Sequence, residues 1–329
     1  MKKKLYKKSE IKKKIYHKKV KRENSKKKNK SKYAYMFKSM KLISLIFFLS
    51  AIYFVNIYSK NLLEYYYTKR LEKLKRWGKH YNESNLVTIE DKINWISIHD
   101  VRKLKGKLAD KILLHEYSRR ILKKDLCNKI LKIYDSPDEI NITELPDQFV
   151  LKTNHGSGYN ILVYNKSELD IEWAKRQLSH WLQVDYGARG AEYHYSFIKR
   201  KAFAEEFIGK HVNTYKIMCF HGEPKFILLY KKIDGKEYRS YFDFNWTRLD
   251  YNCITPPHPT EVYEKPVTLS LMKKIARKLS RPFKLARVDL YEYQNQVRLG
   301  EITFLPMNSF FYCKNPKHNI EIGSYLKLF

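Results

Sequence analysis

The chain has 329 residues, 43% of them hydrophobic and 15% aromatic, enough apolar material for the core of one or two domains, which excludes a disordered protein. Its formal charge of +32 is unevenly spread, because residues 1–39 hold 18 lysines and arginines against two glutamates. The surplus in the remainder suits anionic substrates, nucleotides or an acidic membrane surface, and nucleic-acid binding through the basic tail is not expected as the main function.

Residues 1–39 carry too few aliphatic side chains to offset the cost of ordering and read as a disordered tail. Residues 40–58 contain the uncharged run LISLIFFLSAIYFVNIY, Leu42–Tyr58, just long enough to span a bilayer. No small-residue cleavage site follows it, and basic residues crowd its N-terminal flank. The expectation is a single-pass membrane protein with a cytoplasmic N-terminus, the side of its main domain being left open. Residues 59–87 read as a basic helical stem and 88–329 as a compact domain. Within it, helical periodicity covers Ile89–Ile98, Leu108–Leu122 and Asp125–Tyr134 before Asp135-Ser-Pro-Asp interrupts. Four scattered cysteines, Cys127, Cys219, Cys253 and Cys313, include no CxxC pair; they read as incidental buried thiols and make a structural zinc site unexpected.

Pro146–Tyr164, PDQFVLKTNHGSGYNILVY, reads as strand, glycine loop, strand. Gly156 and Gly158 let backbone N–H groups turn inward on an anion, and Lys152 at the loop's mouth adds a point charge, so the expected ligand is a polyphosphate. Neither GxxxxGK[ST] nor a strand-to-helix dinucleotide turn is present. Taken alone, the segment also fits an ordinary hairpin with a glycine turn. Lys166–Leu182 reads as a helix capped at Ser167. Ala202–Ile208, Thr214–Phe220, Lys225–Tyr230 and Tyr238–Asp243 read as strands, and a helix at Thr268–Leu279 precedes a final hairpin. The class is α+β, with antiparallel strands dominant.

In that hairpin, LARVDLYEYQNQVRLGEITFL (Leu285–Leu305), two alternating runs meet at Gln294-Asn295-Gln296. Centring the turn on Asn295 sets Asp289 opposite Glu301, with Arg287 and Thr303 on the same face and Val288, Leu290 and Ile302 on the other. Opposed carboxylates repel unless a cation lies between them, and Mg²⁺, which takes one or two carboxylates plus phosphates, is the natural occupant. The alternative is a solvated face on which Arg287 neutralises Asp289. A one-residue error in the turn centre undoes the pairing.

The order PDQFVLKTNHGSG, AEEFI, YKIMCFHGEPKFI, then RVDLY with GEITF, resembles the ATP-grasp superfamily, most closely its teichuronopeptide-biosynthesis (TupA-like) branch, over about Ile89–Gly323. KLADKILLHEY is similar to that branch's opening motif. The resemblance implies an ATP-grasp fold, with antiparallel sheets and helices gripping ATP between two subdomains, and ATP and Mg²⁺ as cofactors. By the same likeness Lys111 and Lys152 contact the α- and β-phosphates, and His155, Gly156, Ser157 and Gly158 close over the triphosphate. Glu205, Glu206 and Ile208 hold the adenine edge, Lys216 lines the cleft, Asp289 and Glu301 ligate Mg²⁺, and Arg287 faces the transferred phosphate. The chain departs from the pattern at Thr303 (usually Asn), Thr214 (an acid expected), His115 (Arg expected) and Pro306–Phe310 (a glycine-rich run expected). The implied activity is a carboxylate–amine ligase acting through an acyl-phosphate on an anionic or carboxylate-bearing glycan or peptide acceptor, in cell-surface polysaccharide or glycopeptide synthesis. A glycan-modifying transferase or kinase using the same site, and a tethered binding protein whose ATP site has decayed, are the alternatives.

Overall fold

The computed structural model describes residues 81–329 except 101, 191, 210–211, 234–235, 258–259, 261 and 310, together with 64–65, 68–72 and 75. Two compact units divide the chain, Met1–Glu64 and Tyr65–Phe329, and every element below lies in the second. The expected tail 1–39, the apolar run 42–58 and most of the stem 59–87 fall outside the described residues. Among the described residues no helix is long and apolar enough to cross a membrane, which corrects the expected single-pass placement. The physical reason is length: the longest described helix has 13 residues, about 20 Å, against a hydrocarbon layer of about 30 Å.

Helix α1 (Ile89–His99) begins where Thr88 and Asp91 close a capping box. The Thr88 hydroxyl accepts from Asp91 N and the Asp91 carboxylate from Thr88 N, both at 3.2 Å. The single helix expected over Leu108–Leu122 is two, α2 (Lys103–Ala109) and α3 (Leu114–Leu122), because the Asp110 carboxylate takes up the amides of Ile112 and Leu113 and turns the chain. Asp125–Tyr134 is not helical either. Its first half crosses between helix and sheet, and its second half is strand β1 (Ile130–Tyr134).

β1, β2 (Phe149–Thr153), β3 (Asn160–Val163) and β4 (Ala202–Glu206) form a small antiparallel sheet in the order β1–β4–β2–β3. Phe149, Leu151, Ala202 and Ala204 face a core shared with Ala174 and Leu178 of α4 (Ile171–Gln183); the alternate residues Lys152 and Glu205 therefore face away from it. The expected cap Ser167 belongs to a short 3₁₀ turn, and Asp170 caps α4 by accepting from Trp173 N (2.9 Å). α5 (Tyr186–Gly190) follows.

The larger sheet contains β5 (Thr214–Phe220), β6 (Glu223–Ile233), β7 (Lys236–Phe242), β8 (Arg248–Leu249), β9 (Leu285–Tyr293) and β10 (Gln296–Thr303), antiparallel in the order β10–β9–β5–β6–β7–β8. Its back face buries Ile217, Ile227, Val288, Leu290 and Ile302 against Met272, Ala276 and Leu279 of α6 (Leu269–Ser280), each side chain larger than alanine contributing about 1.5–3 kcal/mol. One end of the front face, with Met218, Phe226, Leu228 and Leu305, packs against α1 and α7 (Pro316–Ser324). The other end of that face carries Lys216, Arg287, Asp289, Glu301 and Thr303. Cys253 and Cys313 face each other across an isolated antiparallel bridge and form a disulfide, correcting their reading as incidental thiols; Cys127 and Cys219 are free and buried.

Candidate active site

β9 and β10 join through a two-residue turn, Gln294 (φ +50°) and Asn295 (φ +57°), not a three-residue turn centred on Asn295. The hairpin thus starts one residue away from the expected register, with Leu299 facing Leu290 and Arg298 facing Tyr291. A bulge at Gly300 then inserts one residue, after which Glu301 faces Asp289 and Thr303 faces Arg287. Two offsets cancel. Glycine gives the bulge room, since a Cβ at position 300 would stand 2.6 Å from Cε2 of Tyr291 unless that ring shifted.

This ladder concentrates charge in a small buried space. Arg287 Nε donates to Asp289 Oδ1 (2.6 Å), and its Nη2 donates to Asp289 Oδ2 (2.7 Å), Glu301 Oε1 (3.0 Å) and Thr303 Oγ1 (3.0 Å). Lys216, facing Asp289 from β5, donates to Oδ2 at 3.1 Å. Burial pushes the Asp289 carboxyl up, but Arg287 and Lys216 outweigh it and hold the group below the usual carboxylate range. The donor set fits a hard divalent cation. Two carboxylates and a hydroxyl already converge on one point, and a guanidinium nitrogen stands there as a substitute cation.

On the small sheet Lys152 donates to Glu205 Oε1 (2.7 Å), which also accepts from Asn128 Nδ2 (3.1 Å). Lys111 donates to the Gly156 carbonyl (2.7 Å). Burial lowers the Lys111 pKa, while Glu301 and Glu205 raise it and Lys152 lowers it, so this one ammonium lies in the fields of both sheets. Asn154 ties down the base of the loop, donating to Asp110 Oδ2 (3.0 Å) and Lys199 O (2.9 Å) and accepting from Lys201 N (2.8 Å). Gly156 and Gly158 have φ of +76° and +78°, which only glycine adopts freely, and Ser157 and Gly158 are exposed at the tip.

His155 is placed differently from its loop neighbours. It is fully buried, its Nε2 donates to Val184 O (3.3 Å), and it sits edge-on to Tyr159, which stacks on Trp181 (5.1 Å, 6°). Its ring anchors the loop instead of reaching the cleft. Burial pushes its pKa down to about 4. Glu206 accepts from Lys129 N (2.9 Å), and Ile208 lies half-buried just past β4.

A cavity of about 600 Å³ brings the loop tip, Ser157 and Gly158, together with Lys216, Arg287, Glu301 and Thr303. A family model, TupA-like ATPgrasp, matches residues 91–327. The chain belongs to the TupA-like ATP-grasp family. The expected α+β ATP-grasp fold agrees with that membership. No curated protein matches. Among solved structures, N5-carboxyaminoimidazole synthase from Aspergillus clavatus, in complex with ADP and 5-aminoimidazole ribonucleotide, is 14% identical with a TM-score of 0.37, covering 64% of this chain and 46% of that one. D-alanine–D-alanine ligase from Helicobacter pylori is 15% identical with a TM-score of 0.38, covering 67% and 59%; the Bacillus anthracis enzyme is 19% identical with a TM-score of 0.36, covering 71% and 63%. The chain spans about half the length of the solved structures it matches.

In this TupA-like chain the cavity has walls that sequence reasoning missed. Tyr186 and Tyr195 come from the segment after α4, and Tyr230, Glu237 and Arg239 from β6 and β7. Arg239 donates to Thr255 Oγ1 (2.8 Å) and Glu237 Oε2 (3.3 Å). The available signal was period-two alternation: Tyr230 faces Arg239 across the ladder, on the face that carries Lys216.

Proposed function

We propose that this chain is an ATP- and Mg²⁺-dependent carboxylate–amine ligase acting through an acyl-phosphate. The observation that carries the reading is that Glu301, which faces the buried Asp289 across the ladder, lines one cavity with the tip of a glycine loop whose base holds Lys111 and Lys152. Asp289 and Glu301, with Thr303, would hold Mg²⁺, which supplies charge neutralisation at the phosphates. Lys111, Lys152 and the Gly156–Gly158 amides bind and align the triphosphate, and Glu205, Glu206 and Ile208 hold the base. Arg287, released from Asp289, offers its fork to the transferred phosphoryl group.

An acceptor carboxylate oxygen attacks the γ-phosphorus as the bond from that phosphorus to the ADP oxygen breaks. An amine nitrogen then attacks the acyl carbon, the bond from that carbon to the phosphate oxygen breaks to release inorganic phosphate, and the proton of the nitrogen passes to the departing phosphate. The closed loop keeps water from the acyl-phosphate in between. Lys216, Arg239 and the tyrosines offer hydrogen-bond donors and ring faces to a carboxylate-bearing glycan or peptide acceptor, beside the lining carboxylates Glu192 and Glu237.

The test is Mg²⁺-dependent ADP formation over a panel of carboxylate and amine pairs, with hydroxylamine added to trap the acyl-phosphate as a hydroxamate. Asp289→Asn and Glu301→Gln should each reduce turnover by about 10²–10³-fold. Turnover that ignores both substitutions, or ADP formation with no trappable acyl group, overturns the reading.

A further inference from the structure

The segment crossing from α3 to β1 carries a side-chain cluster that the nucleotide reading leaves unused. His115, Asp125 and Cys127 each offer one ligand atom, and these atoms all lie within 4.8 Å of one another. His115 Nδ1 is 2.9 Å from Asp125 Oδ2, and Asp125 Oδ1 accepts from Cys127 N at 3.0 Å, so the carboxylate is fixed between the other two. Local structure sets all three positions. His115 lies in the first turn of α3, Asp125 follows the left-handed residue Lys123 that ends the helix, and Cys127 is aligned by its bridge to Leu299. His115 and Cys127 are buried and Asp125 is half-buried, yet all three line a second, solvent-open cavity of about 640 Å³.

We propose that His115, Asp125 and Cys127 form a site for a borderline divalent cation of the zinc type, with its fourth position open to that cavity. Thiolate, imidazole and carboxylate together are donors for zinc, whereas Mg²⁺ selects oxygen, so the site is chemically distinct from the Asp289–Glu301 pair. Bonds of about 2.0–2.3 Å to a tetrahedral ion put ligand atoms roughly 3.3–3.7 Å apart, which the cluster meets with small side-chain adjustments. The charges balance: the Cys127 thiol loses its proton to solvent, and thiolate plus carboxylate neutralise the ion. Arg119 now supplies the cation beside Asp125, with Nη1 2.7 Å from Oδ2. Its side chain is 58% exposed, so it swings into water at little cost. An ion here ties α3 to the strand entering the small sheet, next to Asn128 and its bond to Glu205.

The test uses the full-length chain, stripped with a chelator, dialysed and titrated separately with Zn²⁺ and Co²⁺. The expected result is one equivalent of zinc per chain after gel filtration and a near-ultraviolet thiolate-to-cobalt charge-transfer band. Cys127→Ser abolishes the band and weakens zinc binding at least tenfold, His115→Gln weakens it similarly, and Cys219→Ser leaves both intact. The band is read on the unmutated chain, so its absence overturns the site even where a variant fails to fold. Zinc retained equally by Cys127→Ser and His115→Gln also overturns it, identifying an adventitious ion only.

Discussion

Nη2 of Arg287 lies 3.0 Å from Oε1 of Glu301, across the ladder between β9 and β10. The same nitrogen donates to Asp289, so a side chain now occupies the place where a metal would bridge the two acids. Arg287→Met removes that cation and leaves the acids with Lys216 alone. In chelator the variant should lose about 3–5 kcal/mol of stability, the cost of stranding buried charge. Mg²⁺ should then raise its Tm more than it raises that of the unmutated chain. An equal response of both proteins to Mg²⁺ would refute a shared position.

Gly300→Ala tests the bulge. The added methyl meets the Tyr291 ring, and the expected cost is about 1–3 kcal/mol in chemical denaturation. Tyr291→Leu in the same background should recover most of it. If Gly300→Ala proves neutral, the ring yields and does not fix the bulge.

Lys152 and Glu205 form the charge-assisted pair on the small sheet. If Lys152 holds a phosphate as proposed, Lys152→Met removes one charged hydrogen bond and should weaken Mg-ADP binding by roughly 10–100-fold in calorimetry, the equivalent of about 1.5–3 kcal/mol. An unchanged dissociation constant would remove Lys152 from the phosphate site.

His155 gives the fold a pH dependence of defined sign. Buried, it holds no proton until the pH approaches about 4, whereas in the unfolded chain it protonates below its ordinary value of 6.5. Its contribution to stability is therefore complete above pH 6.5 and is lost as the pH falls from 6.5 to about 4. His194, pushed down to about 3 by burial, acts in the same direction. His155→Gln should flatten part of the acid limb of a Tm-against-pH curve, and a curve of unchanged slope would count against the assignment.

The acidic hairpin was legible because strand alternation decides which residues share a face, and that survived a misplaced turn only because the Gly300 bulge restored the count. Gln294-Asn295 lacks the glycine that usually marks a two-residue turn, so nothing local separated it from a three-residue one. β1 was misread because its extended state depends on pairing with β4, about 70 residues later in the chain, which overrides local periodicity. The place of His155 was equally hidden, since the rings around it come from Trp181 on α4 and from Tyr159 beyond the loop. Cys253 and Cys313 stand 60 residues apart, and only the folded chain brings them face to face.

Each principal cation of the cleft already has a companion: Lys111 a loop carbonyl, Lys152 a glutamate, Lys216 and Arg287 a shared aspartate. On a chain of +32, polyanions of every kind are drawn to the exterior. On the proposed reading, the guest of the interior replaces these companions together while bringing a positive ion for the displaced acids. Entry becomes a trade of partners, and bulk attraction alone does not open the door.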